Sequence, residues 1–303
     1  MVVLNPRSGG GKVARFDLVQ RAQEMGARIS LIGPGADGGT LASQAVEEGA
    51  DVVAVAGGDG TVSAVAAVAA QSGRPMVVVP AGTRNHFARD LGLDIRSPAA
   101  ALRALVDGER KRIDIAAVGS RVFLNNVSFG VYAEALLVPD YRQSKARAFA
   151  SVIGPYMQGL EFADASVETP VGTIERPGVV LISNNPYHLS TLRYLGYRFG
   201  LDRGVLGAIV LPKPPGRSAD PVSHWRAQIR GMTRTGALPP GVIAWSSEQV
   251  TLHGTGQDLA AGMDGEAVRL PLPVVCDIRA AALQVLLPRD RPGVRAEPTG
   301  PPR

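Results

Sequence analysis

Gly57, Gly58, Asp59, Gly60 and Thr61 stand between an apolar run at 52–56 and a small-residue run that begins at Val62. Strand, glycine turn and helix in that order let peptide N–H groups close on an anion, because glycine has no Cβ to hold it off. Asp59 places a carboxylate in the same turn. It would repel phosphate unless a cation intervened, and the Mg²⁺ that accompanies a nucleotide is the usual mediator. The pentapeptide is equally compatible with a plain turn in which Asp59 caps the helix. A dinucleotide fingerprint is disfavoured, since it needs glycine where Ser63 stands and an acidic residue near position 80.

A second glycine loop lies near the start of the chain. Val2, Val3 and Leu4 lead into Asn5, Pro6, Arg7, Ser8, Gly9, Gly10, Gly11 and Lys12, and the periodicity that follows predicts an amphipathic helix of about three turns to Met25. It is not a Walker A loop, because Pro6 and Val13 replace the required Gly and Ser or Thr. Strands are expected at 28–32, 52–56 and 76–79, with helices starting near Thr40 and spanning 62–70. Alternating β and α predicts a doubly wound parallel sheet whose ligand sits outside the strands' carboxyl ends, where Asn5, Asp59 and Gly82 fall. Thr83, Arg84 and Asn85 then offer a hydroxyl, a guanidinium and an amide beside Asp59. For Arg84 a solvated loop position is the commoner fate. Ser97 and Pro98 read as the N-cap and first-turn proline of a helix to about 106.

From residue 113 onward short strands separated by turns take over. They are expected at 113–118, 121–127, 179–183, 205–211, 242–245, 250–253, 268–278 and 283–287, which describes a mainly antiparallel β domain. Helices are expected at 144–160 and 220–231, the first carrying a basic face that suits either solvent or anionic lipid. Asp264 and Gly265 signal a hairpin turn, with Glu266 just beyond it. A turn with an exposed Glu is the simplest reading of that spacing. The alternative is a carboxylate pair that takes the proton of an attacking hydroxyl. The resulting division is 1–110 for an α/β nucleotide domain, 111–289 for a β-rich substrate domain and 290–303 for a disordered tail.

Composition narrows the partners. The 303 residues carry a net charge of +5 and a pI near 9.6, which favours an acidic partner such as a nucleotide, an anionic membrane surface or nucleic acid. Cys276 is the single cysteine and lies in an apolar run, so a buried structural thiol is expected and a disulfide framework is excluded. His86, His188, His224 and His253 are too dispersed to suggest zinc. No run of residues is long and apolar enough for a membrane span, and a cytoplasmic protein that touches a membrane without crossing it is expected.

Taken together, the loop from Asn5 to Lys12, the turn from Gly57 to Thr61, the stretch from Pro80 to Gly92 and the turn from Asp264 to Glu266 resemble the diacylglycerol kinase catalytic family, which includes bacterial lipid kinases and the sphingosine and ceramide kinases. The Gly57 turn alone is shared with NAD kinases and phosphofructokinases. The resemblance implies an α/β domain of the NAD-kinase and phosphofructokinase type followed by a mainly antiparallel β-sandwich domain. It implies ATP and Mg²⁺ as cofactors and a lipid acceptor taken at the inner face of the membrane, with no nucleic acid, and it allows a homodimer. Asn5, Ser8, Gly9, Gly10, Gly11, Lys12, Thr40, Gly57, Gly58, Gly60, Thr61, Thr83 and Asn85 would contact ATP. Asp59 would bind its Mg²⁺, Glu266 would be the general base and Asp264 would support it. A kinase of a soluble acceptor such as NAD, or a nucleotide-binding regulator without turnover, are the alternatives.

Two departures from the family pattern stand out. His86 occupies a position usually held by Asp, and Arg203 occupies the ligand position of a structural Mg²⁺ that many relatives hold through an Asp-Gly pair. A guanidinium cannot ligate a cation, so that second metal is expected to be absent unless Asp202 substitutes.

Overall fold

The computed structural model describes residues 1–130, 164–188, 197–211 and 242–294, and the helices expected at 144–160 and 220–231 lie outside them. The chain forms two compact units. The first combines Met1–Ile115 with Phe199–Gly204 and Arg279–Glu297, and the second combines Ala116–Arg198 with Val205–Ile278 and Pro298–Arg303. The units are therefore not consecutive halves. Residues 199–204 and 279–297 return to the first unit, which a linear reading cannot reveal.

In the first unit Val2–Leu4, Ile29–Leu31, Val53–Gly57 and Met76–Pro80 form a parallel sheet, and the end of the long strand Val274–Leu287 joins its edge by pairing Val285 with Met76. Every residue of Val53–Gly57 and Met76–Pro80 is buried, as expected of parallel strands covered on both faces. Helices lie between the strands. Asp59–Ser72 buries Val62, Ser63, Val65, Ala66 and Ala69 and ends at Gly73, whose left-handed backbone sends its N–H to Ala69 and Ala70 carbonyls. Gly38–Glu47 starts at Asp37, whose carboxylate accepts the Thr40 N–H at 2.9 Å.

Several boundaries differ from the sequence expectation. The helix to Met25 is two short ones, Lys12–Arg15 and Leu18–Glu24, because Asp17 adopts a left-handed backbone at φ 50°. The helix after Ser97 likewise divides into Pro98–Ala101 and Ala104–Asp107, and the Ser97 side chain makes no capping bond. Residues 290–294, at the head of the expected tail, are tied down: Asp290 pairs with Arg103, Arg291 with Glu109, and the Gly293 N–H donates to the Gly92 carbonyl at 3.2 Å.

The second unit is a sandwich. Ile243–Ser247, Leu206–Leu211, Val179–Asn184, Asn126–Gly130, Asp258–Met263 and Glu266–Pro271 form an antiparallel sheet in that order. Against it pack Gln249–Gly254, Ala165–Thr169 and the first residues of Val274–Leu287, with Val127, Phe129, Ile182 and Ala208 meeting Val167, Val250, Leu252 and Cys276 in one apolar core. The run expected as one strand over 268–278 is broken around Pro271 and Pro273, neither of which can donate to a ladder. Cys276 is fully buried, and burial pushes its thiol up to about 12, in keeping with a structural role. No helix among the described residues is long and apolar enough to cross a membrane.

Candidate nucleotide and acceptor sites

Three loops leave the same edge of the parallel sheet. Val2–Leu4 and Val53–Gly57 are in register with Leu4 opposite Ala56, and Gly57 lies opposite Pro80. The loops after these strands therefore emerge side by side. Their backbones touch. A Cβ on Gly9 would fall on the Ala81 carbonyl oxygen, and one on Gly82 would lie 2.5 Å from the Gly58 Cα. Gly57 is as confined, since its Cβ would meet the Thr61 side chain at 2.8 Å. Gly10 and Gly11 have open space instead, and their φ of 68° and 81° explain glycine there.

Side chains lock these loops together. The Asn5 amide donates to the Thr61 hydroxyl at 3.3 Å, and its carbonyl accepts the Arg7 N–H at 3.2 Å. Lys12 Nζ donates to the Gly82 carbonyl at 2.9 Å. Asn85, buried and left-handed at φ 54°, accepts the Gly82 N–H at 2.7 Å and donates to the Gly82 carbonyl at 2.9 Å. The structure thus turns Asn85 inward to hold its own loop, whereas Thr83 and Arg84 are exposed. Ser8 reaches to 3.9 Å from where a Gly58 Cβ would be.

Asp59 does not cap its helix. Gly58 is the N-cap and Asp59 the first helical residue, so the carboxylate sits half-buried at the helix's positive end. The first bond of this helix runs from the Val62 N–H to the Gly58 carbonyl, which leaves the N–H groups of Asp59, Gly60 and Thr61 ahead of it as anion donors. One Asp59 oxygen accepts the Phe87 N–H at 3.4 Å. His86 stands beside it. Desolvation lowers the His86 pKa against the pull of Asp59, and Arg89 and Arg84 lower it further. The Thr40 hydroxyl donates to Asp37 at 2.5 Å and serves the helix start.

In the second unit Asp264 and Gly265 form the hairpin turn, both with positive φ, between Asp258–Met263 and Glu266–Pro271. Asp264 is more than a turn residue. Its carboxylate accepts the N–H groups of Leu124, Asn125 and Asn126 at 2.8, 2.8 and 3.1 Å, and its own N–H donates to the Asn126 carbonyl at 2.9 Å. Glu266, two residues on, is exposed. The residues 124–126 gave no sign in the sequence of their part in this arrangement, because the contact joins positions about 140 apart and runs through main-chain donors.

The stretch 201–204 packs in the first unit through Asp114, which accepts the Gly204 and Ala281 N–H groups at 2.7 and 2.8 Å. Asp202 pairs with Lys111 at 3.1 Å. Among the described residues no three His, Cys, Asp or Glu side chains gather as a metal cluster.

The segment that holds all three glycine loops matches a known family, the diacylglycerol kinase catalytic domain, over residues 1–118. A diacylglycerol kinase of Mycobacterium tuberculosis is 38% identical over 115 residues, which is 37% of each chain. A diacylglycerol kinase of Staphylococcus saprophyticus is 30% identical over 168 residues, 53% of each. The chain thus aligns with about a third to a half of the length of these relatives. A solved structure of a diacylglycerol kinase from Bacillus anthracis superposes with a TM-score of 0.67 at 18% identity, covering 94% of this chain and 96% of the other. The catalytic-domain match is confined to the first part of the chain, whereas the shared fold extends through both units.

Proposed function

We propose that the protein transfers the γ-phosphoryl group of ATP to the hydroxyl of a lipid, diacylglycerol or a related bacterial lipid alcohol. The observation that carries this reading is the contact of three glycine loops at one sheet edge, around Asp59, within the segment that matches the diacylglycerol kinase catalytic domain. The first unit is assigned to the nucleotide and the second to the acceptor. Ser8, the 9–12 backbone and the first-turn N–H groups of the Asp59–Ser72 helix suit the phosphates. Asp59 is a single half-buried carboxylate, which fits Mg²⁺ held mainly by phosphates and water. When bound, that ion neutralises charge on the phosphate oxygens.

Glu266 is the candidate general base. It is exposed and follows a turn that Asp264 anchors, so it can take the proton of an acceptor hydroxyl while Asp264, its oxygens engaged by backbone N–H groups, holds position. The net charge of +5 supports residence at an anionic bilayer, each Lys or Arg near the surface contributing about 1 kcal/mol.

The test is transfer of label from [γ-³²P]ATP to extracted membrane lipids. Label in the organic phase is expected. Label on NAD, or binding without transfer, would replace this reading with a soluble-acceptor kinase or a regulator. Asp59→Ala should abolish transfer with unchanged circular dichroism. Glu266→Gln should lower kcat roughly 10²-fold with little change in ATP affinity, and equal losses in both would make Glu266 a binding residue.

A further inference from the structure

Arg198 is 2% exposed, an uncommon place for a guanidinium, and it donates to one short segment and its neighbour. Nη1 donates to the Leu124 carbonyl at 2.6 Å and to the Asn184 carbonyl at 2.7 Å, and Nη2 donates to Asn125 Oδ1 at 3.0 Å. Its face lies 5.6 Å from the Tyr187 ring centroid, and the Tyr187 hydroxyl accepts from Asn126 Nδ2 at 3.0 Å. Asn184 closes the cluster by donating its side-chain amide to the Leu124 carbonyl at 3.3 Å.

Leu124, Asn125 and Asn126 also carry the N–H groups that hold Asp264. Leu124 is gripped at both ends: Arg198 takes its carbonyl oxygen and Asp264 takes its N–H. A cation and an anion are thus linked through the 124–126 backbone. Each charge polarises the peptide groups between them, so the grip is stronger than isolated neutral bonds. Moving this segment moves the Asp264 turn, and Glu266 is paired across that turn with Met263.

We infer that Arg198 is a positioning residue for Glu266, acting through Leu124, Asn125 and Asp264. The inference rests on the proposed role of Glu266 as base. Planar fork geometry is what the site uses, since one nitrogen spans two carbonyls and the other reaches Asn125; a lysine ammonium keeps the charge without that fork.

The test uses the full chain, [γ-³²P]ATP and 1,2-dioleoylglycerol in mixed micelles, with Arg198→Lys, Glu266→Gln and the double variant. Arg198→Lys is expected to lower kcat about 10- to 100-fold with ATP affinity within twofold of the unaltered protein. In the Glu266→Gln background the same change is expected to lower kcat less than threefold, because a positioning residue has nothing left to position. A full additional loss in the double variant would reassign Arg198 to stability alone. Unchanged kcat in Arg198→Lys would overturn the inference while leaving Glu266 as base. Unchanged kcat in Glu266→Gln, or no transfer to dioleoylglycerol by the unaltered protein, would remove both. Should Arg198→Lys fail to fold, Asn125→Ala removes one acceptor and leaves the guanidinium in place. Its expected 5- to 20-fold loss of kcat must likewise vanish in the Glu266→Gln background, and hydrogen exchange should show faster exchange at 122–128 and 262–268 but not at 53–72. Persistence of the loss, or unchanged exchange, counts against the inference.

Discussion

Gly9 and Gly10 are neighbours with unequal tolerance for a side chain. Both have positive φ, 56° and 68°, so alanine at either adds roughly 1–2 kcal/mol of backbone strain. At Gly10 that is the whole cost, because no atom lies within 4 Å of the new Cβ. At Gly9 the methyl lands on the Ala81 carbonyl, which belongs to another loop and cannot swing away. Gly9→Ala is therefore expected to lose roughly 1–3 kcal/mol more than Gly10→Ala. Its thermal midpoint should fall further. Equal midpoints in scanning calorimetry would mean that the two loops are not seated against each other. The glycines were legible in the sequence as a class. Which of them is confined by contact and which by backbone conformation was not, since that depends on neighbours some seventy residues away. Arg198 was illegible for a related reason: nothing in Tyr197, Arg198 and Phe199 distinguishes a buried guanidinium from the usual solvated one.

The Gly38–Glu47 helix depends on its first turn, where Asp37 takes both the N–H and the hydroxyl of Thr40. Asp37→Ala should cost about 1 kcal/mol. Those two bonds, the hydroxyl's first, hold the Asp37 carboxyl below its ordinary value. The sign follows: the folded pKa is depressed, so the contribution is full above the ordinary carboxylate range near 3.8 and is lost as pH falls through the folded value. Urea unfolding should separate the unaltered protein from Asp37→Ala at pH 7 and bring them together under strong acid. An equal gap at both would assign the cost to something other than the ionised cap. Elements such as Val53–Gly57 were readable because five buried residues in a row leave little choice. Ala165–Thr169, Gly172–Glu175 and Asp258–Met263 are harder to read, since the first alternates over only five residues, the second is mostly exposed and the third is rich in small residues. The break at Asp17 was hidden by an amphipathic pattern that continues through it.

At the scale of the whole molecule, the α/β and antiparallel classes were legible from the change in rhythm near residue 113, whereas the interleaving of the two units was not. Asp114 shows why. Its partners Gly204 and Ala281 are 90 and 167 residues away, and only the folded chain brings them to one carboxylate. The family match ends at residue 118, yet the first unit also uses Phe199–Gly204 and Arg279–Glu297. A fragment of residues 1–118 should therefore be insoluble or aggregated, for it leaves Met76 and Val77 without Val285 and Leu286 and exposes a bare sheet edge. A monodisperse, cooperatively melting 1–118 fragment in gel filtration and calorimetry would contradict this. During synthesis the same strand imposes a schedule: Met76–Pro80 leaves the ribosome some two hundred residues before its neighbour, and the parallel sheet must wait, open along one side, until nearly the last of the described chain has emerged.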